Sequence, residues 1–144
     1  MQRILKTNKK MTTEEKVTHW IEISDYDLET AVAMLNTKRY LYVGFMCHQV
    51  IEKIFKAVYI KRKEDTQPYV HKLVFIAQRA DFYDVFSEEQ KIFIDQLEPL
   101  NIKTRYLEYK KELAKKMTNE KCIEVLEKTK NLQQWTKEKL LSVE

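Results

Sequence analysis

The stretch F45-M-C-H-Q-V-I-E-K-I-F-K-A-V-Y-I60 decides how this chain is read. It is apolar enough for a buried helix, yet His48, Gln49, Glu52 and Lys53 sit in its middle. Successive residues of an α-helix turn by about 100°, so measured from His48 the side chain of Glu52 lies at about 40°, Lys56 at about 80°, Gln49 at about 100° and Lys53 at about 140°. Val50, Ile51, Ile54, Phe55, Ala57 and Val58 fill the complementary arc. The segment is therefore an amphipathic helix with one continuous polar stripe. Within the stripe, one-turn spacing lets His48 pair with Glu52, Glu52 with Lys56, and Gln49 with Lys53. A solvated face accounts for that spacing. Phe45, Met46 and Tyr59, in or beside the same arc, instead suit a helix covered by another element or a second chain. Spacing leaves both open.

Working outward, the rest reads as helices joined by short loops. One Gly and two Pro in 144 residues, with 33% of them charged, suit a helical bundle and not a sandwich or barrel. Thr12-Thr13-Glu14-Glu15 forms a capping box that opens a helix to about Asn36, with Trp20, Tyr26 or Asp27, Leu28, Ala31, Val32 and Leu35 along one stripe. The short TKRY link makes the next helix, about Leu41 to Lys63, its antiparallel neighbour. KEDTQPYV is a loop, since Pro68 disfavours helix at Gln67. A short helix follows at about Val70 to Arg79. Ser87 to Gln90 caps a fourth helix that Pro99 ends or kinks. A turn over the residues after Leu100 gives way to helix again. The last helix spans about Asn119 to Leu141, with Ile123, Leu126, Leu132 and Trp135 facing inward. The expectation is an all-α, up-down bundle of about five helices: a basic arm at 1–11 and one domain at 12–144.

Composition excludes more functions than it suggests. No run of 18 apolar residues is present, and MQRILKTNKK lacks the apolar core of a secretory signal, so a cytoplasmic chain is expected. Cys47 and Cys122 fit no metal or redox spacing and read as reduced thiols. One glycine cannot build a phosphate-cradling loop, and HExxH and GxSxG are missing. His19, His48 and His71 define no metal site by spacing. No cofactor and no metal is expected. The net charge of +4 allows an anionic partner without demanding one. Basic residues crowd the N-terminal arm (Arg3, Lys6, Lys9, Lys10) and the stretch from Lys103 to Lys121. Runs of this kind serve either as a solvated face or as a phosphate-binding surface.

Several of these pieces, in order, resemble the HEPN (higher eukaryotes and prokaryotes nucleotide-binding) family of helical bundles. The family's first helix has an aromatic residue, a small residue, Asp-Leu and Ala, matched by Trp20, Ser24, Asp27-Leu28 and Ala31. Its second helix carries a Cys/His-Gln-x-x-Glu-Lys core, matched by CHQVIEK at 47–53. His71-Lys72-Leu73 matches a later His-x-apolar signature, and Leu100-Asn101 with Arg105-Tyr106 matches a late Leu-Asn…Arg-Tyr. The likeness covers about residues 16 to 140.

The resemblance implies nucleotide or RNA binding, a homodimer, and a nucleotidyltransferase-type protein partner in a bacterial, toxin–antitoxin-like setting. His48, Gln49, Lys53, His71, Arg105 and Tyr106 become the binding candidates, with Asp27, Glu52 and Asn101 as supporting polar groups. Two departures matter. Leu107 stands where Pro usually follows Arg-Tyr, which lets the helix resume earlier, and ribonuclease members carry a His separated from the Arg by four to six residues, where this chain has Lys110, Lys111 and Glu112, which counts against catalysis. A protonated lysine is a poor substitute for an imidazole acid–base. No catalytic residue is therefore assigned. The alternatives are a structural bundle recognising a protein partner through Tyr40, Tyr42 or Tyr109, and a ribonuclease with a rearranged site.

Overall fold

A computed structural model describes residues 10–103 and 105–142; most of the basic arm, including Arg3, Lys6 and Lys9, lies outside them. Among the described residues there is no strand, and six α-helices stand where about five were expected. They are α1 (Thr13–Asn36), α2 (Tyr40–Lys63), α3 (Leu73–Arg79), α4 (Glu88–Leu97), α5 (Leu107–Lys116) and α6 (Asn119–Leu140). Short 3-10 turns occupy Tyr83–Val85 and Glu98–Leu100.

The boundaries follow local chemistry. Thr12 caps α1 through a full capping box with Glu15, and Ser87 caps α4 the same way with Gln90. Thr118 caps α6 by accepting from the Lys121 amide at 3.1 Å. Pro99 has no amide proton to continue α4, and the chain tightens there into the second 3-10 turn. The third helix begins at Leu73, three residues later than periodicity suggested. Its entry residue, Lys72, makes no side-chain cap.

Helix α2 is the centre of the molecule. It packs along α1, against α6, and under α3. Consequently its apolar arc is fully buried: Val50, Ile51, Ile54, Phe55, Ala57 and Val58 have no exposed surface. Burying one such large side chain contributes about 1.5–3 kcal/mol. Gly44, the chain's single glycine, allows close packing there, because a Cβ would sit 3.0 Å from Met117 Cε and 3.4 Å from Leu100 Cδ1.

Phe55 meets Phe82 edge-on at 5.3 Å and stacks on Phe86 at 5.4 Å. Phe86 meets Trp135 at 5.2 Å, so aromatic contacts run from α2 to α6. Polar pins fix the register of α1. Ser24 donates to the Val50 carbonyl at 2.8 Å and accepts from Gln133 at 2.9 Å, while Lys137 bonds Asp25 at 2.6 Å.

One alternative is resolved and one inward assignment fails. Of Tyr26 or Asp27, Asp27 turns inward toward Lys53 and Tyr26 is 69% exposed. Ile123 is 46% exposed, and its neighbours Cys122, Val125 and Leu126 take the inward face of α6. Leu126 and Leu132 are buried as expected, and Trp135 packs half-buried on the core. No helix among the described residues is long and apolar enough to cross a membrane.

Candidate functional site

The polar stripe of α2 is not a solvated face. His48 has no exposed surface, Glu52 and Lys56 are buried, and Gln49 and Lys53 are half-buried. Two segments cover it: the loop leading into α3, carrying His71, and the turn after α4, carrying Glu98. Two of the three pairs implied by one-turn spacing form hydrogen bonds, and the third stands close without one. Lys56 Nζ donates to Glu52 Oε2 at 2.8 Å, Lys53 Nζ donates to Gln49 Oε1 at 2.8 Å, and His48 Nδ1 stands 3.7 Å from Glu52 Oε1. Lys53 also reaches Asp27 Oδ2 of α1 at 3.4 Å, and the Lys56 ammonium lies 5.5 Å from the centre of the Trp20 ring. One network therefore links α1, α2 and the two covering segments.

The network assigns the state of His48. Lys53 holds the Gln49 carbonyl oxygen, which turns the Gln49 amide nitrogen toward His48 Nδ1 at 3.3 Å. Nδ1 accepts there, so the neutral ring carries its proton on Nε2. That nitrogen faces Glu98 Oε1 at 3.8 Å, beyond hydrogen-bond reach, and has no direct partner.

Glu98 itself supplies what Lys72 does not. Its two carboxylate oxygens accept from the Leu73 and Val74 amides at 3.2 and 3.3 Å, capping α3 from a distant part of the chain. The first amides of a helix have no partner within it, and a negative charge is favoured there. Burial pushes the Glu98 carboxyl up, but His48 and the two amides outweigh it and hold it below its ordinary value. Glu52 behaves alike: burial raises it, and Lys56 and His71 together bring it below. Asp27 goes the other way, because burial outweighs Lys53.

Above the network lies an open cleft of about 330 Å³, lined by His48, His71, Lys72, Glu98, Pro99, Asn101 and Arg105. Three segments far apart in sequence meet in it. His71 Nδ1 bonds Glu52 Oε2 at 2.9 Å while its side chain stays 59% exposed. Arg105 is exposed, lies 4.9 Å from the Tyr109 ring centre, and donates to the Asn101 carbonyl at 3.4 Å. Tyr109 in turn donates to the Pro99 carbonyl at 2.9 Å, so the late turn is held by side chains closing free carbonyls. Asn101 Oδ1 is buried without a hydrogen-bond partner.

Of the residues singled out from sequence, His48, His71, Asn101 and Arg105 thus share one cleft, with Glu52 beneath it. Gln49, Lys53 and Asp27 are engaged with one another between α1 and α2, and do not line it. Tyr106, 84% exposed, stands next to Arg105 in the chain and outside the lining.

Lys72 and Glu98 were missed. Lys72 was legible only as the middle of His-Lys-Leu, and Glu98 carries no local signal, since its partners lie 24 and 25 residues earlier. The lysine run is mostly a solvated face, with Lys115 paired to Glu112 at 3.3 Å and Lys121 to Glu124 at 3.7 Å. Among Tyr40, Tyr42 and Tyr109, only Tyr42 is exposed, and the other two are half-buried. Among the described residues no cluster of His, Cys, Asp or Glu can hold a metal ion. Burial pushes the Cys47 thiol up to about 12 and Cys122 up to about 11.

A model of the HEPN domain family matches residues 17–140. No curated protein and no solved structure matches the chain.

Proposed function

We propose that this chain, which belongs to the HEPN domain family, is a non-catalytic module binding the phosphate of a nucleotide or RNA in the cleft between α2, α3 and the turn before α5. The observation that carries the reading is the convergence of His71, Lys72 and Arg105 on one opening. Lys72 and Arg105 donate hydrogen bonds to anions, as His71 does once its second nitrogen is protonated, and Arg105 adds a planar fork suited to phosphate oxygens. Tyr106 offers an exposed ring beside Arg105 for stacking on a base. A homodimer and a nucleotidyltransferase-type partner, both implied by the family, complete the proposal. The absence of any histidine after His71 in the sequence weighs against a family-type ribonuclease.

A second reading, protein recognition, is favoured by one observation. An apolar groove between α4 and α6 is lined by Ile92, Phe93, Leu132 and Trp135, of which Ile92 is exposed.

The deciding experiment is thermal denaturation with nucleoside mono-, di- and triphosphates and short RNAs, for wild type, Arg105→Ala and Lys72→Ala. A ligand at a hundred times its Kd stabilises the native state by about 2.7 kcal/mol. For a chain of this size that raises Tm by about 5–10 °C. The shift should disappear in Arg105→Ala, weaken in Lys72→Ala, and shrink as salt rises. A chain that no phosphate ligand stabilises is not this module, and the α4–α6 groove then becomes the surface to pursue.

A further inference from the structure

We propose that anion binding in the cleft is proton-linked through His71, an inference that rests on the phosphate-binding reading above. His71 touches both the buried network and the opening. Its Nδ1 is committed to Glu52 at 2.9 Å, and Glu52 is a carboxylate held ionised by Lys56 as well. A carboxylate only accepts, so Nδ1 must carry a proton. The consequence falls on the other ring nitrogen. In neutral His71 the single proton is already spent on Nδ1, which leaves Nε2 a bare lone pair at the exposed end of the ring. A lone pair repels a phosphate oxygen. Only the imidazolium, with a proton added to Nε2, donates into the cleft while keeping its bond to Glu52.

Charges of both signs face the ring. From α2, His48, Glu52 and Lys56 lie beneath the ring, and Glu98 approaches from the turn after α4. Lys72 is its chain neighbour, and Arg105 faces it across the cleft lining. An anion entering the cleft offsets Lys72 and Arg105. Binding thus brings the phosphate and the proton in together: one proton is taken from solvent onto Nε2 as the complex forms, and none is released by the ligand if its own charge is constant.

The probe is a short oligouridylate without terminal phosphate, whose phosphodiesters keep one charge each over the range in which imidazoles titrate. Kd is measured by fluorescence anisotropy from about pH 5.5 to 8 at fixed ionic strength. Calorimetry in buffers of different ionisation enthalpy counts protons. Affinity should fall with rising pH toward the tenfold-per-unit limit for one linked proton, with uptake approaching one proton. His71→Asn keeps an amide donor near the Nδ1 position and should bind with a pH-independent Kd and no proton uptake. Binding that is pH-independent in wild type overturns the inference and leaves the phosphate-binding reading standing. A pH dependence that survives in His71→Asn overturns it too, by placing the proton on His48 or His19. Failure of the oligonucleotide to bind at any pH, where the nucleotides of the thermal screen also fail, removes both readings.

Discussion

The pair Glu52–Lys56 is the most direct test of whether the stripe on α2 is a buried network. The Glu52 and Lys56 side chains are only 3% and 7% exposed, and their 2.8 Å bond is the shortest contact each makes in the network. Replacing Glu52 by Leu leaves the Lys56 ammonium with only the face of Trp20 to replace its water. Removing one member of a buried pair costs about 3–5 kcal/mol, because the uncompensated charge remains buried. A cation–π contact returns about 1–2 kcal/mol at most, so Glu52→Leu should cost about 3 kcal/mol, or a Tm lower by about 10 °C. The double variant Glu52→Leu, Lys56→Met removes both charges and fills similar volume. It should recover most of the loss, with a coupling of at least about 2 kcal/mol. Urea unfolding followed by circular dichroism measures all four species. Additive single effects would refute the argument.

The same pair has a defined pH signature. Glu52 is held below the ordinary carboxylate value of 4.5, so its contribution is complete above that value and fades as pH falls through the lower folded one. The deficit of Glu52→Leu should therefore narrow in acid.

Two further outcomes follow from other parts of the structure. Glu98→Gln keeps one acceptor for the α3 amides but turns an NH₂ toward the second. It should cost about 1–2 kcal/mol at neutral pH, with the difference from wild type closing below about pH 4.5, because the Glu98 carboxyl is also held below its ordinary value. Cys47 and Cys122, with thiols pushed up to about 12 and about 11, should stay unreacted with a disulfide reagent in the native state and react once urea unfolds the chain. Fast labelling of the folded protein would contradict that burial.

Much of the fold is legible because its signals are local. The capping boxes at Thr12 and Ser87 need only four residues each, and both helix starts fall where those residues put them. The pairs His48–Glu52, Glu52–Lys56 and Gln49–Lys53 follow from a spacing of four and nothing else. Errors begin where a residue's fate depends on what lies opposite. Periodicity on α1 admits either Tyr26 or Asp27 to the inward stripe, and it is Lys53 on α2 that draws Asp27 in and leaves Tyr26 outside. On α6, Ile123 reads as core until Cys122 is found reaching the Tyr40 carbonyl at 3.5 Å, which turns Ile123 outward.

The site is less legible for a sharper reason. A helical stripe states a direction and is silent about its cover. His48 and Glu52 point the same way whether water, a ligand or another segment lies above them. Here the cover is Glu98 and His71, the nearer of them 19 residues from its partner on α2, and neither has a partner within a helical turn. Glu98 serves α3 because Lys72 cannot, so a weak start to a seven-residue helix is compensated by a carboxylate that also faces His48. That arrangement makes the cleft a by-product of capping. The charge that steadies α3 stands on one wall, and the charge that holds Glu52 ionised stands below. The cations Lys72 and Arg105 are left at the rim, with the exposed end of the His71 ring beside them. A surface of this kind binds an anion by completing a charge balance the fold has begun, which is why the thermal screen and the proton count address the same few atoms.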